Sequence, residues 1–265
     1  MFFNHVAAVA LLISYLAPHV SPQSFWFIAF FGLAYPVLVI INFLFVIYWF
    51  IQIKKRGFYS LIIILAGFTN LYSYFQFSPG SIPDGSKKLL SVMSYNVKVF
   101  DLYDWTKNNQ TRNKMFALIS NESPEILCMQ EFYHRDSSKY ANTDSLMRFP
   151  HFKYYHTEYT ANVKPRQHFG IATFSTHPII NRGKVDFGYK GNNICIYTDI
   201  VVAKDTFRVF NMHLQSIAFS WDDYKFIDDL QKNVETENIE KSKNILKRLK
   251  RAFIKRANQA DMVKA

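Results

Sequence analysis

Acidic residues are missing from the first third of the chain. No Asp or Glu precedes Asp84, and the only Lys or Arg residues before it are Lys54, Lys55 and Arg56. A stretch so poor in charge and so apolar argues against the solvated face of an ordinary soluble domain. All 20 acidic residues therefore lie from Asp84 onward, with 28 of the 31 basic ones, leaving that part an excess of 8 positive charges. Cysteine is nearly absent too. The 2 cysteines, Cys128 and Cys195, each sit in an apolar strand-like run, the usual place of a small buried hydrophobe, and so few leave the redox compartment open.

What fills the first third is apolar. Ser24 to Ile53 carries no charge, and at about 1.5 Å per helical residue it can cross a hydrocarbon core of roughly 30 Å. Pro36 is a potential kink of a kind that membrane helices tolerate. Trp26 and Trp49 stand near the two ends, as interfacial aromatics do. Residues 1–77 read as a membrane region with spans at about 2–17, 28–50 and 58–77. The first lacks the basic region and small-residue cleavage site of a signal peptide. Lys54-Lys55-Arg56 joins the second and third spans, and the positive-inside rule puts that loop in the cytoplasm. The chain after Phe77 is then extracytoplasmic, and the protein an integral membrane one. Ser78 to Ser86, rich in Pro, Gly and Ser, forms most of a linker over 78–88, and a water-compatible domain follows over 89–265.

In that domain, Ile126 to Met129 is an unbroken apolar run closed by Gln130 and Glu131, the pattern of a short strand buried on both faces. A carboxylate at such a strand end is rigidly held at the sheet rim, a suitable place for a hard-metal ligand. Taken singly, Glu131 reads equally well as a polar strand-end residue facing water. Leu89 to Phe100 predicts another strand, with Asn96 toward its end, able to orient a metal-bound water or phosphate oxygen or simply to serve a turn. Arg112 to Ser120 predicts a short helix, Phe132 to Asp144 a loop, and Phe152 to His156 a strand. Gln167 to Ser175 and Ile179-Ile180 flank a turn at His177-Pro178. Ile194 to Ala203 and Phe207 to Leu214 predict a hairpin. Its second strand ends near His213, which could donate to a phosphoryl oxygen or be a satisfied core histidine. Asp222-Asp223 and Asp228-Asp229 read as exposed. Leu246, Leu249, Phe253, Ala257 and Ala260 predict an amphipathic terminal helix with a basic outer face, solvated or turned toward nucleic acid.

Four motifs occur in order: Ser94-Tyr95-Asn96, Pro124 to Gln130-Glu131, Gly170-Ile171-Ala172 through Pro178-Ile179, and Asn211-Met212-His213-Leu214. Together they resemble the endonuclease/exonuclease/phosphatase superfamily from about Leu89 onward. The resemblance implies an α/β fold, a four-layer sandwich like that of deoxyribonuclease, present here in part. It also implies a Mg²⁺ or Mn²⁺ cofactor on Glu131, with Asn96 supporting metal or phosphate and His213 on the scissile phosphate. The implied activity is membrane-anchored hydrolysis of a phosphate ester in nucleic acid or phospholipid, the alternative being an inactive, membrane-tethered phosphate-binding module. The superfamily's later Gly-Asp-Phe/Leu-Asn segment and Asp-His pair do not occur in these 265 residues. The expectation is therefore the front portion of a catalytic domain, inactive by itself.

Overall fold

The structure is a computed structural model that describes residues 1–74, 89–164, 166–188, 191–217, 219–232 and 239–265. The chain divides into two compact units, Met1–Ile82 with Ser216–Asn258, and Pro83–Gln215 with Gln259–Ala265. The linker expected at 78–88, and the end of the span expected at 58–77, lie outside the described residues.

The first unit begins with five helices, α1 (Phe2–Tyr15), α2 (Pro22–Leu33), α3 (Tyr35–Ile51), α4 (Gly57–Ala66) and α5 (Phe68–Tyr74). No single described helix is long and apolar enough to cross a membrane. Two bent pairs have the length and composition together, α2 with α3 at 52° and α4 with α5 at 65°. The stretch expected as one span over 28–50 is thus broken at Ala34. Pro36 explains the break, because it has no N–H to continue the ladder of α2. The Ala34 N–H still reaches the Phe30 carbonyl at 3.0 Å, and the new ladder starts with Leu38 N–H on Ala34 O. Ala8, Leu11, Tyr35 and Ile63 form the small core of this unit. Polar side chains tie its helices together: Ser60 Oγ donates to Asn4 Oδ1 at 2.6 Å, and Asn42 Nδ2 donates to the Ala7 carbonyl at 3.0 Å.

The second unit holds two sheets. The first has the order β1 (Val92–Asn96), β2 (Ile126–Arg135), β4 (Gln167–Ser175), β3 (Tyr154–Lys164). Here β1 runs parallel to β2, and the other pairings are antiparallel. The second sheet is the antiparallel meander β5 (Ile179–Val185), β6 (Ile194–Val202), β7 (Asp205–His213). α6 (Thr111–Glu122) and α7 (Asn142–Met147) lie between strands of the first sheet. β2 is the middle of the sandwich. Leu127 and Met129 belong to the cluster that holds Ile119 of α6 and Leu146 of α7. Ile126 and Cys128 belong to the cluster of Ile200 in β6. The uniform apolar run follows from this double burial. Helices, first sheet and second sheet make three layers among the described residues of this unit. Both cysteines are free and buried, and burial pushes each thiol up to about 11.

Several boundaries differ from the sequence reading. The strand expected to Phe100 stops at Asn96, where the backbone turns left-handed. The loop expected over 132–144 is largely ordered, with β2 running to Arg135 and α7 starting at Asn142. Most consequentially, Glu131 lies inside β2 and not at its end. Met129 faces Ala172 and Phe132 faces Gly170, so Gln130 and Glu131 together oppose Ile171 alone. Glu131 has φ +50°. This is a β-bulge, and it reverses the alternation of side chains. Without it Glu131 would follow Leu127 and Met129 into the core; with it Phe132 takes that place and the carboxylate is freed.

The tail forms α8 (Trp221–Lys232) and α9 (Ile239–Lys264). Asp223, expected to be exposed, caps the start of α8: it accepts from Ser220 N–H at 2.7 Å and faces Arg248 Nε at 3.4 Å. The stripe expected on α9 is rotated, since Ala252 and Gln259 are buried while Leu246 is exposed. Phe253 packs edge-on against Phe30 at 5.4 Å within the first unit.

Gly170 sits where strands crowd around the bulge. A Cβ there would run into the Glu158 carbonyl oxygen and come within 2.8 Å of Tyr159 Cα, both backbone atoms that cannot step aside. Gly170→Ala is expected to lower stability by about 2 kcal/mol or more. The urea-unfolding midpoint checks this, and an unchanged midpoint would show that the strands can part at no cost.

Candidate functional site

Parallel pairing of β1 and β2 puts Asn96 opposite Gln130, so the end of β1 lies beside the bulge. Asn96 Nδ2 donates to Glu131 Oε1 at 2.9 Å. His213, the last residue of β7, brings its Nε2 to 4.0 Å from the same oxygen. Three residues singled out separately in the sequence thus converge from three strands and both sheets. Glu131 remains accessible, with 36% of its side chain exposed, whereas His213 keeps 20%.

The orientation of Asn96 is set by its other end. Its Oδ1 accepts from Lys98 N–H at 3.0 Å, which leaves the amino group toward Glu131. In this arrangement the amino group of Asn96 bonds the Glu131 carboxylate and its oxygen bonds the Lys98 backbone. Among the described residues no group of three or more His, Cys, Asp or Glu could hold a metal ion. One accessible carboxylate matches Mg²⁺ or Mn²⁺ in kind, since such ions commonly take one or two protein carboxylates and complete their shell with water and substrate oxygens.

Behind these residues lies a network that the sequence reading missed. Gln130 Nε2 donates to Asn211 Oδ1 at 2.7 Å and to Ser94 Oγ at 3.2 Å. Asn211, 1% exposed, donates onward to the Ala172 carbonyl at 2.8 Å and to Thr173 Oγ1 at 3.2 Å. It thereby links β7 to β2 and β4 across the sandwich, two residues before His213. One signal was available: by strand alternation Asn211 shares the inward face of Val209, where a polar residue needs buried partners.

A second polar pair marks the opposite end of β2. His177 Nε2 lies 2.9 Å from Glu125 Oε1, and Ser91 N–H donates to Glu125 Oε2 at 2.9 Å. The Ser91 N–H, with His177, holds the Glu125 carboxyl below the usual range. His177, read from sequence as a turn residue, is in that turn and also clasps the start of β2.

Beyond Asn96 the backbone enters a left-handed turn. Lys98, Val99, Phe100 and Asp101 have φ of 44°, 46°, 56° and 56°. Such conformations cost about 1–2 kcal/mol per residue for side chains with a Cβ. The turn is held by Phe100, which is buried among Phe116 and Phe132, and by the buried Asp101 carboxylate. Asp101 accepts from Thr106 N–H at 3.3 Å and from the Thr106 hydroxyl. Tyr103 and Trp105 project from this strap into water, their rings 5.0 Å apart, with Lys98 Nζ 4.9 Å from the Trp105 ring centre.

Comparison with known proteins gives three findings. A family profile described as a domain of unknown function, DUF8431, matches residues 1–74. No curated protein matches the chain. Solved structures that resemble it include an endonuclease/exonuclease/phosphatase from Beutenbergia cavernae, at 16% identity and TM-score 0.39, covering 49% of this chain and 39% of that one. Another is D. rerio TDP2 complexed with single strand DNA product, at 10% identity and TM-score 0.37, covering 56% of this chain and 55% of that one. A third is sphingomyelinase C from Streptomyces griseocarneus, at 17% identity and TM-score 0.38, covering 49% of this chain and 50% of that one. The chain spans about half or less of the length of these three structures.

Asn211→Leu keeps the bulk and removes three hydrogen bonds from a buried position. The expected loss is about 2–3 kcal/mol in chemical unfolding, because the stranded partners stay desolvated. Unchanged stability would mean that the two sheets are not joined through this residue.

Proposed function

We propose that the chain carries the metal-binding and phosphate-contacting part of a divalent-metal-dependent phosphoesterase site, in a protein anchored to a membrane by its amino-terminal helices. The observation that carries the reading is the convergence of Asn96, Glu131 and His213, whose oxygens and nitrogens meet within 4.0 Å from three strands. The ordered motifs around those residues, similar to those of the endonuclease/exonuclease/phosphatase superfamily, support it.

Phosphoryl transfer asks little covalent chemistry of a protein and much positioning and charge stabilisation. Glu131 is the residue that would hold Mg²⁺ or Mn²⁺. Bound there, the ion would supply neutralisation of charge on the phosphoryl oxygens. Asn96 fixes the direction of the Glu131 carboxylate. His213 donates from Nε2 to a non-bridging phosphate oxygen, and Asn211 with Gln130 keeps the histidine's strand in place. The substrate is a phosphate ester of nucleic acid or phospholipid, and the excess of basic residues after Asp84 favours an anionic partner of either kind. The bent helix pairs and the lone Lys54-Lys55-Arg56 cluster support membrane anchoring with an extracytoplasmic second unit.

Glu131→Gln keeps shape and removes charge. It is expected to weaken Mg²⁺ binding at least about tenfold by calorimetry while leaving the unfolding midpoint near that of the parent. His213→Ala should leave Mg²⁺ affinity alone and weaken binding of inorganic phosphate by about 10- to 100-fold. Equal metal affinity before and after Glu131→Gln would remove this carboxylate from the site. Turnover of bis-p-nitrophenyl phosphate that disappears with His213→Ala would identify an enzyme in place of a binding module.

For the anchoring, single cysteines at Gln52 and Ser86 in intact cells should respond oppositely to a membrane-impermeant maleimide, with Ser86→Cys labelled and Gln52→Cys protected. The reverse pattern would turn the topology over.

A further inference from the structure

We propose that Tyr103 and Trp105 form a stacking subsite for an unpaired base beside the phosphate, so that the ligand of the Glu131 site is a single-stranded nucleic acid. The inference rests on the phosphate reading of Asn96, Glu131 and His213 and adds the substrate class.

The two rings are the most exposed of the described aromatics in this unit, ahead of Phe207 at 45%, and they stand next to each other. Phe100, Phe132, Tyr133, Phe152 and Phe174 are buried in the core of the same unit, whereas Tyr103 is 61% and Trp105 49% exposed. Leaving that much aromatic surface in water forgoes roughly 25 cal/mol for each Å² not buried. The backbone that carries the rings is held firmly. The strap beneath them is pinned by buried Phe100 and by the Asp101–Thr106 hydrogen bonds, and Asp104 N–H closes it on the Asp101 carbonyl at 2.9 Å. Rigid aromatic side chains lose little conformational entropy when a planar ligand settles on them.

Their place relative to the site is fixed by short contacts. Glu131 bonds Asn96, Asn96 bonds the Lys98 backbone, and the Lys98 ammonium lies over Trp105. A ligand whose phosphate sits at Glu131 has a cation and two aromatic rings on the strap that directly follows Asn96. Alternation of anionic phosphate with a flat π-system is the chemistry of a nucleic acid strand, and aromatic rings beside basic groups are how such strands are held without pairing. A base inside a duplex has no free face to offer, so the strand is unpaired. A bilayer-inserting tip would favour side chains free to point into lipid. Here the Lys98 ammonium lies 4.9 Å from the Trp105 ring centre, a charge that insertion of the ring into hydrocarbon would have to desolvate.

The test uses the full chain in detergent with Mg²⁺ and two short labelled strands linked by phosphorothioate, one oligothymidylate and one abasic, read by fluorescence anisotropy. The parent should bind oligothymidylate more tightly than the abasic strand. Trp105→Ala should weaken oligothymidylate binding about tenfold and leave the abasic strand unchanged, with Trp105→Phe recovering most of the loss. Equal affinity for the two strands in the parent overturns the proposal, as does oligothymidylate binding that survives both Trp105→Ala and Tyr103→Ala. Loss of binding to phosphatidylcholine–phosphatidylglycerol vesicles in these variants, with strand binding intact, overturns it in favour of a lipid surface. Failure of the phosphate reading appears separately, as abasic-strand binding that Glu131→Gln leaves unchanged.

Discussion

One extra residue in β2 governs the second unit. Before the bulge, Leu127 and Met129 serve the helical side of the first sheet; after it, Phe132 does so. The shift in register is what allows a carboxylate to exist in a strand that is otherwise buried on both faces. Next to it β4 carries a glycine, since the backbone of β3, which has a register shift of its own between Tyr159 and Ala161, comes too near for any side chain at Gly170. A strand without the bulge would have to bury an ion at a cost of several kcal/mol or lose the residue altogether. Core packing and site chemistry are in this sense one constraint, met at a single place in the backbone.

The parts of the fold legible in the sequence are those whose signal is local. The apolar run of β2, the hairpin of β6 and β7 and the helix α6 each follow from composition and period within a few residues. Pro36 likewise announced the break between α2 and α3. Bulges are different, because an extra residue shows only against the partner strand, and the alternation through Gln130 and Glu131 offers no mark of its own. The left-handed turn after Asn96 was hidden for a similar reason: no glycine occupies its four positive-φ positions, and tertiary anchoring overrides the local preference. In the candidate site, Asn96 and His213 were legible as polar residues at strand ends, and Glu131 as the carboxylate closing an apolar run, although the strand continues past it to Arg135. Asn211 and Gln130 were passed over as neighbours, because a buried amide gains meaning only when its partner in another sheet is known.

The candidate site is also asymmetric in its burial. Asn96 is held at both ends of its amide, and Asn211 is buried with three hydrogen bonds. Glu131 and His213, by contrast, are partly exposed, and 4.0 Å separates them.

The two buried thiols bear on how the second unit ages. Cys128 lies under the first sheet's inner face and Cys195 in β6, and each is kept protonated by burial at ordinary pH. A thiol reacts through its thiolate, so neither is available to an oxidant or alkylating reagent while the sandwich is closed. Each therefore acts as a timer: its rate of capture by a thiol reagent counts excursions in which that part of the sandwich opens. Because the two cysteines belong to different sheets, unequal rates would reveal which sheet loosens first, without any label being introduced.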